Sequence, residues 1–325
     1  MSQAGATVAV VGAITSDVII CADSSRHAGL GGVLYNAAAL MALGVDRVSL
    51  VANVGADIAG QLAEFQRQHP GADLANVRTA QPTNVRCHLW ELGHATLEVH
   101  EHFPPPLLLA QVLPVLGAQA VLVTFPIGCE MSLATLRALR SRHDGLLYLD
   151  FHTLSMGTDL VGVRYLRRVR RWLDWVRLSD IVQLNLAEAC VLTGSELATP
   201  SERTSLAAAV LDAGPRILLL TMGLAGCLCF EAGDGGIRAQ QFSAVEPLGP
   251  VVTTVGCGDV FAGAFLATYL RSGDSQVACR IAAAAASSRC GVAGLRQLPD
   301  ALAHLNPGRT SAGGKLSGAS RSRPS

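Results

Sequence analysis

What most constrains this chain is a rhythm. Short apolar, β-branched runs alternate with Ala- and Leu-rich segments of helical spacing from Thr7 to Cys290. Thr7 to Ile14, Val48 to Val54, Ala120 to Thr124, Leu146 to Asp150, Ile181 to Leu184 and Arg216 to Thr221 read as strands, followed by Cys227 to Glu231 and Ile237 to Phe242. Helices are expected between them, among others at Ala37 to Leu43, Ser132 to Arg142, Ser201 to Asp212 and Asp274 to Cys290. Such alternation predicts an α/β fold of three layers, a mostly parallel central sheet with helices on both faces. Ligands of such folds gather at the C-terminal ends of the strands. Asp17, Asn185 and Thr221 all follow predicted strands.

One stretch breaks the rhythm with chemistry. Val251 to Ala267 reads VVTTVGCGDVFAGAFLA, an extended run entering a Gly-X-Gly and then an apolar helix from about Gly258. Gly256 and Gly258 let successive N–H groups turn toward one point, where the helix dipole adds positive charge. That is a site for an anion, phosphate above all. Asp259 places a carboxylate beside it, which makes sense if the carboxylate takes a proton from a group attacking the phosphate. On this stretch alone a helix cap explains Asp259 equally well.

Composition narrows the classes. The 325 residues carry a formal net charge of zero, so the chain has no electrostatic footprint for nucleic acid or an anionic membrane. Half the residues are hydrophobic, yet no run reaches the ~20 residues of a membrane span. The N-terminus lacks the charged region of a signal peptide, and nine cysteines without CxxC pairs fit free thiols in a reducing cytoplasm. Residues 306–325 are Gly-, Ser-, Arg- and Pro-rich and are expected to form a disordered tail.

Two segments stand outside the rhythm. Thr83 to His102 alternates apolar and polar residues around Gly93-His94, which predicts a hairpin. With residues 17–21 it forms a small β lid over a cleft. Its exposed edge is a natural surface for a homodimer. His100 and His102, with no third ligand nearby, are expected as exposed lid residues. Arg164 to Arg177 carries Leu166, Val169, Leu173 and Val176 at helical spacing, predicting a helix with a basic, solvated face. Cys227 and Cys229 share a strand face and are read as core.

Taken together, four segments resemble the PfkB/ribokinase family of sugar and nucleoside kinases, over about Thr7 to Leu298. Thr254-Val-Gly-Cys-Gly-Asp259-Val-Phe261-Ala-Gly263 is similar to the family's DTxGAGDxFxxG signature. Gly31-Gly32-x-x-x-Asn36-x-Ala38 resembles its N-terminal signature, Asn185-x-x-Glu188 its NxxE motif, and Thr221-x-Gly223-x-x-Gly226 its TxGxxG loop. The resemblance implies a ribokinase-like kinase domain over 1–305 and transfer of phosphate from ATP to a hydroxyl, most simply a primary one, of a sugar or sugar derivative. Asp259 would be the general base, and the amides of Gly256, Cys257 and Gly258 the anion hole. Asp17, Gly31, Gly32 and Asn36 would hold the acceptor, and Thr221, Gly223 and Gly226 would line the ATP site. Asn185 and Glu188 would organise Mg²⁺, although Asn-x-x-Glu at a helix start is equally a capping box. Thr253 stands where many members carry Asp, which leaves monovalent-cation dependence unsupported. Leu34 replaces the ribokinases' Lys, which argues against ribose itself. A nucleoside kinase of the same fold, or a sugar- or nucleotide-binding protein without catalysis, are the alternatives.

Overall fold

The computed structural model describes residues 7–21, 23–92, 95–233, 235–247 and 249–306. The first residues of the N-terminus, the expected Gly93-His94 turn and the expected tail beyond Asn306 lie outside the described residues. In chain order the strands are β1 (Thr7–Val11), β2 (Ser16–Ile20), β3 (Arg26–Leu30), β4 (Arg47–Gly55), β5 (Ala72–Gln81), β6 (Arg86–Leu92), β7 (Ala95–Glu101) and β8 (Ala120–Thr124). They continue as β9 (Leu146–Asp150), β10 (Met156–Thr158), β11 (Arg164–Leu166), β12 (Ile181–Asn185), β13 (Ile217–Thr221), β14 (Cys227–Gly233) and β15 (Gly236–Phe242).

A nine-stranded sheet runs in the order β15-β14-β13-β12-β9-β8-β1-β4-β5. It is parallel from β13 to β5, and β14 and β15 close one side antiparallel. Its inner strands are apolar on both faces because helices cover both. Val8 and Val10 enter one core with the helices Val33–Ala42, Cys257–Ser272 and Ser275–Cys290. Ala9 and Val11 enter the other, with the helices Leu133–Arg140, Leu186–Thr193 and Pro200–Ala213. The alternation of β1 thus divides between two cores, and the mostly parallel three-layer α/β fold is what the chain forms. Among the described residues no helix is long and apolar enough to cross a membrane.

A second sheet, β3-β2-β6-β7, includes the expected lid strands. Ile19, Cys21, Val85, Cys87 and Leu89 pack beneath it on Ala13 and Ile127, a third apolar cluster between lid and main sheet. At the far end of β6, Glu91 accepts two hydrogen bonds from Thr254, from its N–H (2.7 Å) and its hydroxyl (2.8 Å). The lid is thereby fastened to the segment that leads into the glycine turn.

Several expectations fail. Arg164 to Arg177 is not a helix. Arg164–Leu166 is β11, paired antiparallel with β10, and only Leu173–Val176 is helical. Arg171 has φ 55°, which breaks the helical path, and Arg164 is drawn inside, donating to Thr158 Oγ1 (2.6 Å) and the Thr153 carbonyl (3.2 Å). Arg167, Arg168, Arg170, Arg171 and Arg177 stay exposed, but not along the face of one helix. Asp174 pairs with both Arg171 (2.8 Å) and Arg177 (3.5 Å). His100 is buried rather than exposed, with Nε2 3.2 Å from Glu98, and His102 lies past the end of β7 at φ 57°. The two histidines share no strand face. Residues 251–254 are the extended lead-in to the glycine turn, and Asp17 lies in the lid strand β2 rather than at a main-sheet end. The polar edge strands β3 and β5 had no apolar alternation to reveal them.

Candidate active site

Six buried acidic or amide side chains, Asp17, Asn36, Asp150, Gln183, Glu188 and Asp259, lie where the main sheet's C-terminal edge faces the lid. The helix Cys257–Ser272 points its N-terminus there. It starts on Gly256 at φ 80°, with no side-chain cap. A Cβ at Gly256 would come within 2.8 Å of the Tyr35 ring, so the turn needs glycine for both conformation and space. Gln183 on β12 donates to the Gly258 carbonyl (3.1 Å) and accepts from the Tyr148 hydroxyl (2.6 Å), which pins the turn to the sheet. Of the three amides expected to face an anion, that of Cys257 bends back to the Thr254 carbonyl (3.2 Å).

Asp259 is buried, and its Oδ1 accepts no hydrogen bond. Burial raises its pKa well above the carboxylate range, the charges of Asp150 and Asp17 add to the rise, and Arg289 opposes it. His152 Nε2 lies 3.9 Å from Oδ1, but loss of solvent pushes this imidazole down to about 4, so it faces Asp259 neutral and the pair is not an ion pair. Asn36, fully buried, donates to the Asp259 carbonyl (2.9 Å) and leaves its own Oδ1 without a donor. The two helices that carry these residues approach through Gly263, where a Cβ would meet the Asn36 carbonyl at 2.5 Å.

The glycine pair serves Asp17. A Cβ at Gly31 would fall 1.8 Å from Asp17 Oδ2, and one at Gly32, which has φ 61°, 2.2 Å from the Ala13 carbonyl. Burial pushes the Asp17 carboxyl up to about 7; a hydrogen bond from Thr15 lowers it and the Glu98 charge adds to the rise. A cavity of about 570 Å³ opens from Asp17 and Tyr35 past Ile19 and Phe65 to Leu295 and Arg296.

Asn185 and Glu188 form the capping box of the helix Leu186–Thr193. The Asn185 side chain accepts from the Glu188 N–H (2.8 Å), and Glu188 accepts from the Asn185 N–H (2.9 Å). Burial raises the Glu188 carboxyl to about 8. Asp150, at the end of β9, is raised by burial and then by the charge of Glu188; Thr124 donates to it (3.2 Å). Among the described residues neither acid has a basic partner, and no three His, Cys, Asp or Glu side chains gather to hold a metal. Hard oxygen donors in this number fit Mg²⁺ held chiefly through water. Register places Asn185 beside Thr221. The loop after β13 turns through Gly223 (φ 56°) and Gly226 (φ 85°), where a Cβ would strike the Phe242 carbonyl at 1.9 Å. Leu224 at its tip is 84% exposed.

A family model described as pfkB family carbohydrate kinase matches residues 159–301. That stretch is similar to the pfkB family. The pfkB match spans Asn185, Glu188, the Thr221 loop and the Gly256–Asp259 turn, while Asp17 to Asn36 lie before it. Cytidine kinase of Thermococcus kodakarensis is 27% identical over 272 residues, covering 81% of this chain and 88% of its own. A pyrophosphate-dependent kinase in the ribokinase family, solved with a pyrophosphate analog and myo-inositol, superposes with a TM-score of 0.75 at 17% identity, over 90% of this chain and 99% of that one. Arabidopsis thaliana ribokinase, solved with ribose and ATP, gives 0.70 at 20% identity, over 93% and 99%. At these identities the structures establish the ribokinase fold.

The site also holds residues that the motifs did not announce. Arg289 is fully buried, lies 4.7 Å over the Tyr35 ring and donates to its hydroxyl (3.0 Å). Its spacing was a signal, for Ala278, Ala282, Ala285 and Arg289 share one buried helical stripe. Asp150, which ends an apolar strand, and Gln183, a polar residue in the middle of one, carried a weaker one. His152 carried none.

Proposed function

We propose that this chain is an ATP-dependent kinase that phosphorylates a primary hydroxyl of a sugar or sugar derivative, with Asp259 as general base. The observation that carries the proposal is the pair of buried acceptors, Asp259 Oδ1 and Asn36 Oδ1, beside an uncapped helix N-terminus. A hydroxyl donor satisfies the first, and a phosphoryl group suits the second feature. Asp17 and Asn36 orient the acceptor, with Gly31 and Gly32 giving it backbone approach. Asp259 accepts the hydroxyl proton as the oxygen attacks. The Gly256 and Gly258 amides and the helix dipole meet the charge that develops on the transferred phosphoryl. Thr221, Gly223 and Gly226 line the nucleotide. Asn185 and Glu188, with Asp150, would hold Mg²⁺, which when bound neutralises phosphate charge. A raised carboxyl pKa suits a base that must grip a proton at the transition state.

A second reading, a nucleoside acceptor, is favoured by the apolar part of the cavity's lining. Beyond Asp17 it is lined by Tyr35, Phe65, Ile19 and Leu295, an apolar bed of the kind a base occupies. The test is phosphoryl transfer from MgATP or Mg-pyrophosphate to a panel of sugars, sugar derivatives and nucleosides. Turnover with ATP and a sugar supports the first reading. Turnover with pyrophosphate alone overturns the nucleotide assignment, and a nucleoside preference selects the second reading. Silence with every acceptor, while ATP still raises the melting temperature, leaves a binding protein.

A further inference from the structure

Cys257 is the first residue of the uncapped helix, and Cys290 is the last residue of the helix that packs beside it. Their Sγ atoms lie 3.1 Å apart, one thiol donating to the other, and both side chains are only half-buried. The remaining cysteines are distributed elsewhere, with Cys227, Cys229 and Cys279 inside the core. We propose that Cys257 and Cys290 are a modification site, an oxidisable thiol pair whose disulfide switches off phosphoryl transfer at the glycine turn. This rests on the kinase reading for its consequence, not for the chemistry of the pair.

The two thiols are chemically unequal. The shared hydrogen bond holds Cys290 below the ordinary thiol range, and the same bond together with burial pushes Cys257 well above it. Cys290 is therefore the attacking sulfur and Cys257 the resolving one. With hydrogen peroxide as oxidant, the Cys290 thiolate attacks one peroxide oxygen. The O–O bond breaks, hydroxide leaves and takes up a proton as water, and Cys290 becomes a sulfenic acid. The Cys257 sulfur then attacks the Cys290 sulfur, and the S–O bond breaks. Its proton leaves with the hydroxide as a second water. The sulfurs lose two electrons, and the peroxide gains them.

A disulfide requires about 2.05 Å between sulfurs, so the pair must close by about 1 Å. That pull falls on the residue between Gly256 and Gly258. The other end is anchored, because the Cys290 carbonyl already accepts from the Val252 N–H (2.7 Å). A displacement of about 1 Å at a phosphoryl site is worth on the order of a hundredfold in rate.

The test treats the reduced chain with hydrogen peroxide, maps cysteine linkages by mass spectrometry, and assays transfer before and after dithiothreitol. A Cys257–Cys290 linked peptide, at least a tenfold loss of rate, and its recovery on reduction are expected. Cys290→Ser should keep the basal rate and lose the peroxide sensitivity, with Cys290→Ala as a second variant should serine misfold. Absence of the linked peptide, or peroxide sensitivity that persists in both variants, overturns the pair. A linked peptide with an unchanged rate overturns the switch. Should the chain transfer phosphate to no acceptor, the kinase reading fails while the linkage map still decides the pair, and the switch falls with that reading.

Discussion

Two helices begin at the same edge of the sheet in opposite ways. Leu186–Thr193 starts on Asn185, whose side chain and that of Glu188 close the first turn reciprocally. Cys257–Ser272 starts on Gly256, in a left-handed conformation, and nothing from a side chain covers it. The first has spent its terminal donors on its own chain. The second, a 16-residue helix packed on two others, is stable without a cap because burial of Val260, Phe261, Ala264 and Phe265 fixes it. An open helix end is tolerable where the rest of the helix is over-determined, and it is there that a ligand can take the cap's place.

Substitutions can break this contrast. Asp259→Asn keeps the fold and the open end but removes the base, so the transfer rate should fall roughly 10²–10⁴-fold with the circular dichroism spectrum unchanged. Gly256→Ala attacks the open end itself. A side chain at φ 80° and 2.8 Å from Tyr35 should cost on the order of a hundredfold in rate through displacement of the turn, seen as a fall in kcat with the acceptor KM nearly constant. Asp17→Asn weakens a charged hydrogen bond to the acceptor, raising its KM about 10- to 100-fold.

The same Asp17 substitution carries a pH signature. Its carboxyl binds a proton more tightly folded (about 7) than unfolded (3.8). The resulting stabilisation is complete below the unfolded value and disappears as pH rises through about 7. The ligand-free chain should therefore lose melting temperature between about pH 4 and pH 7, and Asp17→Asn should flatten that slope and melt higher at the alkaline end. The smallest effect separates two capping boxes. Asn185→Ala and Thr199→Ala should each cost about 1 kcal/mol in urea unfolding, but only the former should raise the Mg²⁺ concentration needed for half-maximal rate. Equal Mg²⁺ curves would reduce Asn185 to a cap, which is what Thr199 is.

Much of this was legible in the chain because it is local. The turn at Gly256–Asp259, the pair Gly31-Gly32 with Asn36, and the Asn185 box each lie within a few residues, and each announces its own backbone. The alternation of apolar strands with helical segments likewise foretold a sheet covered on both faces, which Val8 and Val10 on one side and Ala9 and Val11 on the other bear out. Asp150, Gln183 and Arg289 left signals of burial but not of role, because their roles arise only when distant elements converge, as Gln183 does on Gly258, 75 residues away. The segment from Arg164 to Arg177 misled for a related reason. Its apolar spacing is helical, but burial of Arg164 among Thr153, Thr158 and the carboxylates of Glu98 and Glu130 outweighs that spacing. The spacing of one segment does not register charges that arrive from others.

The hydrogen bonds from Thr254 to Glu91 have a kinetic consequence. They tie the lid strand β6 to the residue two positions before Gly256, so the roof and the floor of the cleft are joined into one mechanical unit. On the kinase reading, admitting an acceptor would mean parting them, which would free the Thr254 amide and hydroxyl together and slacken the approach to the turn. A donor bound meanwhile would face a loosened turn, so that the architecture itself would restrain wasteful hydrolysis.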